Sequence, residues 1–412
     1  MPKKDCITCK GRYYTTPLTC GHAFCPVYSK VYEFKKKKLE KKEFLGTAPT
    51  VFVGRYNYPN LNVGIMAPPD VIEKDAILYD APSEWNKRKF QVQDVLDFRS
   101  ALINSKFQTH IKSRPKFLEM SQEVAMASKP VDMEFHLEKK PYYSFTSSKM
   151  ETVMGPRAVL QKVSFHSTPK VDRKVDYVVS DTDLKSAKAL NILYKKGYDE
   201  TFLTRLLSVG TLGVKKNRKL VPTRWSITAT DDTLGKELIK EVKDYKLADY
   251  HICFGGYMGN YFLFLFFPRV WSYELFEMYM PSTLLNPDLE MKYTTDFEFF
   301  SGRKTFATNT AGGYYACRLG LLEYLRSIKR QSAVVVLRFI TDEYSMPLGV
   351  WVVREAAREA LKKKSNFESE LEMMSFAKKL IFDKFSYNCG SILKDSEVLA
   401  FVRKQRTIRD YF

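Results

Sequence analysis

The chain has 412 residues, 66 of them Lys or Arg against 47 Asp or Glu, for a formal charge of +19. That length can bury a sizeable core in two or three domains, and that charge favours a polyanionic partner, of which nucleic acid is the commonest. The first forty residues are lysine-rich and lack the apolar segment of a secretory signal; the most apolar run, Tyr261 to Phe267, is stopped by Pro268-Arg269. Both features predict a cytoplasmic protein with no membrane span.

Seven cysteines divide into four near the N-terminus and three scattered ones, Cys253, Cys317 and Cys389. In a reducing cytosol the cluster points to metal and the others to packing. Cys6-Ile-Thr-Cys9 and Cys20-Gly-His-Ala-Phe-Cys25 have the two-knuckle layout of a structural zinc site, two thiolates on each of two tight turns. Zinc takes four soft ligands in a tetrahedron, so Cys6, Cys9, Cys20 and Cys25 are the predicted set, with His22 as an alternative ligand. A span this short folds with its metal as one event. Residues 1 to 45 also carry eleven Lys or Arg against four Asp or Glu, with Tyr13, Tyr14, Tyr28 and Tyr32 interspersed. Cations for phosphate and rings for bases suit a DNA-contacting module; the competing reading is that Lys35 to Lys42 is a solvated helix face or linker.

After the lysine run, Val51 to Val53 reads as a short strand. It breaks into a polar, glycine-rich loop, Gly54-Arg55-Tyr56-Asn57-Tyr58-Pro59 and on to Asn62-Val63-Gly64, whose turn-forming residues also suit a phosphate or sugar cradle. A helix is expected near 89 to 103, with extended segments after it. Asp181-Thr182-Asp183 is expected to cap a helix through Ala187, Leu190 and Leu193, and a second helix, Glu200 to Ser208, to end at Gly210. Pro222 to Asp232 alternates with a period of two and predicts a strand followed by a helix from Leu234 to Tyr245. Tyr261 to Phe267 reads as a strand and Trp271 to Glu277 as a helix. Asp296-Phe297-Glu298 places two carboxylates on one side of an extended segment. Gly312-Gly313 opens a helix carrying Tyr315, Leu319, Leu322 and Leu325. Ser332 to Ile340 is a buried strand, and Val352 to Lys364 and Leu371 to Phe385 are closing helices.

The predicted fold is therefore α/β or α+β, a mixed sheet flanked by helices, with a small N-terminal zinc-knuckle module and a flexible C-terminal tail. Its expected parts are 1–45, the cysteine module with its basic extension; 46–175, the first part of the core; 176–400, the α/β core; and 401–412, the tail. The tail ends on bare aromatic rings. In one helical turn Ile408 lands beside Tyr411 and Phe412, with Gln405 one turn earlier as a polar peg. This spacing resembles the PCNA-interacting peptide by which repair proteins dock on the DNA sliding clamp, and it assigns clamp binding to Gln405, Ile408, Tyr411 and Phe412.

The cysteine knuckles, Phe52-Val53-Gly54-Arg55-Tyr56 with Tyr58-Pro59, Leu220-Val221-Pro222-Thr223-Arg224-Trp225-Ser226, Gly302-Arg303-Lys304, Gly313-Tyr314-Tyr315-Ala316-Cys317-Arg318, Pro347-Leu348-Gly349-Val350-Trp351 and the terminal peptide together resemble the archaeal Nre family of DNA repair proteins. The resemblance runs over nearly the whole chain. It implies a cytoplasmic archaeal factor in DNA damage repair, with a four-cysteine zinc finger and a PCNA-binding tail, and it implies no catalytic residues. The sequence also supports a second reading, a DNA- or nucleotide-processing enzyme of nuclease, nucleotidyl transferase or ADP-ribosyl transferase type. Arg55, Arg224, Asp296, Glu298 and Arg303 would then line a cleft in the central α/β domain, carboxylates holding a metal or acting as base and arginines gripping phosphate. The competing account of the same residues is that arginine–carboxylate pairs brace the core.

Overall fold

The computed structural model describes residues 41–70, 74–142, 155–281, 283, 285–286, 288–344 and 346–404. The predicted zinc ligands Cys6, Cys9, Cys20 and Cys25, the alternative His22, and the tail residues Gln405, Ile408, Tyr411 and Phe412 lie outside the described residues. The protein is of mixed α/β class, with two six-stranded sheets. It divides into two compact units, Met1–Leu234 with Met346–Gly349, and Gly235–Ser345 with Val350–Phe412.

The first unit is built on β1 (Glu43–Ala48), β2 (Thr50–Val53), β3 (Asn60–Ala67), β4 (Ile103–His110), β5 (Val131–Leu137) and β6 (Arg157–Phe165), in the order β1-β5-β6-β4-β3-β2. All neighbours run antiparallel except β4 and β6. Alternation sets the buried face: Val131, Met133, Phe135 and Leu137 point inward while Glu134 is exposed. Phe44 and Phe135, paired across β1 and β5, stack at 4.7 Å. The helices Lys116–Met126 and Glu200–Ser208 contribute to this unit's packing. The second has the predicted bounds. Its start is capped by Asp199, whose side chain accepts from Phe202 N–H, and Gly210 follows it at φ +73°, where a Cβ would lie 2.6 Å from the Lys219 carbonyl.

Four local expectations fail here. The loop expected to run on to Gly64 stops at Pro59, and Asn60–Ala67 form β3 between β2 and β4, because Leu61, Val63 and Ile65 alternate into the core. The stretch after residue 103 contains the helix Lys116–Met126 between β4 and β5, where only extended chain was expected. Asp181 caps no helix start: its side chain accepts from Asp183 and Leu184 N–H in a turn, and the helix begins at Ser186. The alternating run from Pro222 is no strand but the first half of the helix Thr223–Val242, inside which the division between the units falls. Ser226, Thr230, Leu234 and Leu238 recur every four residues and are all buried. That stripe overrides the strand preference of the β-branched Thr223, Ile227 and Thr228.

The second unit contains β8 (His251–Tyr257), β9 (Asn260–Phe267), β10 (Ser272–Tyr279), β11 (Lys292–Glu298), β13 (Ala333–Ile340) and β14 (Lys364–Asn366), ordered β11-β10-β13-β9-β8-β14. The two-residue strands β7 (Lys246–Leu247) and β12 (Arg330–Gln331) form a separate parallel pair. One face of the large sheet, with Leu265, Phe276, Leu337 and Phe339, packs against the helices Glu370–Phe385, Gly390–Lys394 and Glu397–Lys404. The helices Ala311–Ile328 and Trp351–Leu361 cover the other face. At Gly255 an added Cβ would meet Ala360 Cα at 3.0 Å, so glycine permits that close approach.

Strands β9 and β13 and the helix opened by Gly312-Gly313 stand as read from the sequence. The helix expected over Trp271 to Glu277 is instead β10, parallel to β13 and antiparallel to β11. Both of its faces are covered, so its apolar residues show no alternation, and Glu274 and Glu277, three apart, imitate a helical face.

Candidate functional site

The carboxylates singled out from the sequence do lie on one side of one strand. In β11, Asp296 and Glu298 pair with Leu275 and Tyr273 of β10 and so share a face with Glu277, two residues further along β10, and with Arg338 of β13, which pairs with Glu277. The helix Ala311–Ile328 lies above them and supplies Arg318. Arg303, from the loop that follows β11, completes a row of three acid–arginine pairs.

Each pair has a structural occupation. Glu298 Oε2 takes Arg318 Nη1 at 2.8 Å, and Trp271 Nε1 donates to Glu298 Oε1 at 3.3 Å; both side chains of the pair are almost fully buried. Asp296 Oδ2 accepts from Asn309 N–H, Thr310 N–H and the Thr310 hydroxyl at 2.8–3.0 Å, while Oδ1 meets Arg303 Nη2 at 3.0 Å. Thr310 is the residue before the helix, so Asp296 satisfies donors that the helix start leaves open. Arg303 spends the rest of its fork on the carbonyls of Phe297, Thr305 and Phe306, and so ties the loop to β11. The third pair is Glu277 with Arg338, whose guanidinium also donates to Asn260 Oδ1 at 2.6 and 3.1 Å. Gly313 passes directly over it, since a Cβ there would come within 2.2 Å of Glu277 Oε1. Burial and the neighbouring Glu298 carboxylate push the Tyr314 phenol well above its usual range.

These contacts are those of a brace. Asp296 and Glu298 are 5% and 2% exposed, and a hollow of about 540 Å³ in the same unit, lined by Tyr279, Asn286, Lys292, Tyr293 and Thr294 among others, includes neither of them nor Arg303. Sequence reading missed Glu277, Arg338 and Asn260. The signal was present, since Arg338 interrupts the run Ala333-Val-Val-Val-Leu, and a buried arginine in a central strand requires an acid across the ladder. Among the described residues no group of His, Cys, Asp and Glu is arranged to hold a metal, and no helix is long and apolar enough to cross a membrane. The three described cysteines are buried free thiols, and burial pushes Cys253 up to about 11 and Cys317 up to about 12. Neither forms a thiolate near neutrality.

Arg55 and Arg224 belong to the other unit. Arg55 lies on the β2–β3 connection, half-buried, donating to the Tyr56 hydroxyl at 2.9 Å with its guanidinium 4.9 Å from the centre of that ring. Arg224 is exposed in the first turn of the helix Thr223–Val242. One hydrogen bond joins the end of β2, just before Arg55, to this helix: Val53 N–H donates to Thr223 Oγ1 at 2.9 Å, and Ser208 Oγ, at the end of the helix Glu200–Ser208, lies 3.0 Å from the same oxygen. The structure thus groups the five predicted cleft residues as two sets, Arg55 with Arg224 in one unit, and Asp296, Glu298 and Arg303 in the other.

Fold and side chains define a basic, two-unit α/β protein in which Asp296, Glu298 and Glu277 of the second unit are committed to internal pairs with arginines. The models of the archaeal Nre N-terminal and C-terminal regions match residues 19–286 and 298–411, and the chain belongs to that family. It is similar to the DNA repair protein NreB of Archaeoglobus fulgidus, 38% identical over 86% of this chain and 87% of that protein. It is also similar to the DNA repair protein NreA of Haloferax volcanii, 37% identical over 79% of this chain and 78% of the relative. The DNA repair protein NreA of Archaeoglobus fulgidus is 32% identical over the full length of both. No solved structure matches the chain.

Proposed function

We propose that this protein is a DNA repair factor held at the DNA sliding clamp by its C-terminal peptide, with the N-terminal cysteine module contacting DNA around a structural zinc ion. The observation that carries the repair role is its kinship, over most of its length, to proteins named for DNA repair. The clamp role rests on the spacing of Gln405, Ile408, Tyr411 and Phe412, and the zinc role on Cys6, Cys9, Cys20 and Cys25 with His22 as the alternative fourth ligand. Zinc would supply folding energy to the module and no chemistry.

The charge of +19 agrees with a phosphate-rich partner. Arg403 and Lys404 immediately precede Gln405, so an acidic rim on the clamp would speed the encounter. Burying Ile408 and two rings is worth about 1.5–3 kcal/mol per side chain, which after ordering costs suits micromolar binding. A clamp-tethered protein then meets DNA at a raised local concentration.

The test is titration calorimetry of the full chain, and of a version lacking residues 405–412, against an archaeal PCNA. Micromolar or tighter binding that disappears with the tail supports the reading. Equal heats from both versions, or none from either, removes the tail assignment.

A further inference from the structure

The first unit carries a set of exposed rings that its core does not use. Tyr56 and Tyr58 on the β2–β3 connection are 55% and 47% exposed, and Trp225, in the first turn of the helix Thr223–Val242, is 49% exposed. Tyr58 and Trp225 lie side by side with ring centroids 5.9 Å apart and planes tilted by 42°. Single exposed rings are ordinary on protein surfaces. A tyrosine and a tryptophan held beside each other by separate elements, with Arg55 and Arg224 next to them in sequence, form a more specific arrangement.

Cations flank it. Backbone hydrogen bonds join the ring-bearing connection to two basic loops: Ile111 N–H donates to Pro59 O at 3.0 Å, and Leu220 N–H donates to Ile111 O at 2.9 Å. The first loop carries Lys112 and Arg114, and the second carries Lys215, Lys216 and Lys219; all five are exposed. Arg218, between them, is turned inward onto the carbonyls of Gly213, Val179 and Asp181, so it serves the loop rather than the surface. Asp181 is an acid beside this patch, and burial, with nearby Arg114, lowers the affinity of Arg218 for its proton. The N-terminal turn of a 20-residue helix, which favours anions, opens on the same rim.

From this juxtaposition we infer that the rim formed by Tyr58, Trp225 and the Lys112–Arg114 and Lys215–Lys219 loops binds single-stranded DNA, bases stacking on the rings and phosphates following the cations. Bases paired inside a duplex cannot offer a face to an aromatic ring, whereas an unpaired base of any identity can. Lysines alone would suit either form of DNA, so the rings decide for the single strand. The inference rests on the DNA-binding reading above and adds the class of DNA and a place on the first unit.

The experiment uses the full chain. Fluorescence anisotropy compares fluorescein-labelled oligo(dT) of about 20 nucleotides, long enough for more than one stacking site, with a duplex of the same length. Binding of the single strand should be the tighter at equal salt. Trp225→Ala and Tyr58→Ala should each weaken it about 5- to 150-fold, the range for one lost base–ring stack, and leave duplex binding unchanged. Lys216→Glu with Lys219→Glu should weaken both forms and flatten the salt dependence. A second readout separates stacking from general loss of fold. Of the four tryptophans, Trp85 and Trp271 are fully buried and Trp351 nearly so. Unlabelled oligo(dT) should therefore quench emission through Trp225, and Trp225→Phe should abolish the quenching while keeping most of the affinity. Wild-type affinity in both ring variants, with no quenching, overturns the stacking rim and leaves DNA binding by cations intact. No DNA binding by the wild-type chain overturns the rim and the DNA contact together, and leaves the clamp titration to stand separately.

Discussion

Replacing Glu298 by Gln keeps the shape of the side chain and removes only its charge, leaving the Arg318 guanidinium in a site where both partners are about 2% exposed. At an effective dielectric constant near 20, unit charges ~4 Å apart attract by ~4 kcal/mol. Breaking a buried pair from one side costs about 3–5 kcal/mol, because the remaining charge has lost its water as well as its partner. For a unit of this size that corresponds to a fall of roughly 6–20 °C in the melting temperature. Arg318→Met should cost a similar amount. The double variant, with neither charge, should be less destabilised than the sum of the two by about 0.5–3 kcal/mol. The assay is urea and thermal unfolding of all four proteins, with hydrogen exchange in β11 and the Ala311–Ile328 helix to confirm that the loss is local to this pair. Unfolding indistinguishable from the wild type in Glu298→Gln, or strict additivity in the double variant, would refute the assignment of this pair as a brace and return Glu298 to the list of groups kept for chemistry.

Two other predictions follow from the same reasoning. His251 is fully buried, stacked on Phe266 at 3.9 Å, with Nδ1 2.8 Å from Asp249 O and Nε2 3.2 Å from the Tyr324 hydroxyl. Burial lowers it to about 4 from 6.5, so below about pH 6.5 the unfolded chain takes up a proton that the folded one refuses, and stability falls with pH until about 4. The total is on the order of a few kcal/mol; urea melts from pH 7.5 to 5 should show it, and a His251→Gln variant with the same slope would exclude His251 as its source. For the N-terminal module, elemental analysis should find one zinc per chain, and Cys6→Ser with Cys9→Ser should release it while the two-unit core keeps its melting temperature; metal retained by that double variant would remove the assignment.

How much of this was legible beforehand can be judged from particular segments. Strands β9 and β13 and the helices Glu200–Ser208, Ala311–Ile328 and Glu370–Phe385 were readable because their patterns are long or bounded by glycine and proline. So was the placement of Asp296 and Glu298 on one face, since a strand alternates strictly. The two exchanged assignments, β10 and the start of the Thr223–Val242 helix, are short segments whose patterns fit both periods. Only burial on both faces, or along one stripe, separates them. The use of the candidate residues was not legible at all, because a carboxylate bracing a helix start and one poised for catalysis have the same letters.

The linear chain by itself determined what depends on composition and local spacing: the excess of positive charge, the paired cysteines, the aromatic terminal peptide, the family and most regular elements. Those properties travel with the sequence because each is set within a few residues. Tertiary structure alone decided the partners across the fold: that Glu298 faces Arg318 and Glu277 faces Arg338, that Arg55 and Arg224 fall in a different unit from Asp296, and that Tyr58 comes to lie against Trp225. Pairing at such separations is fixed by sheet register and helix packing, which minimise buried unpaired charge and apolar exposure over a whole unit at once. No local window carries that information.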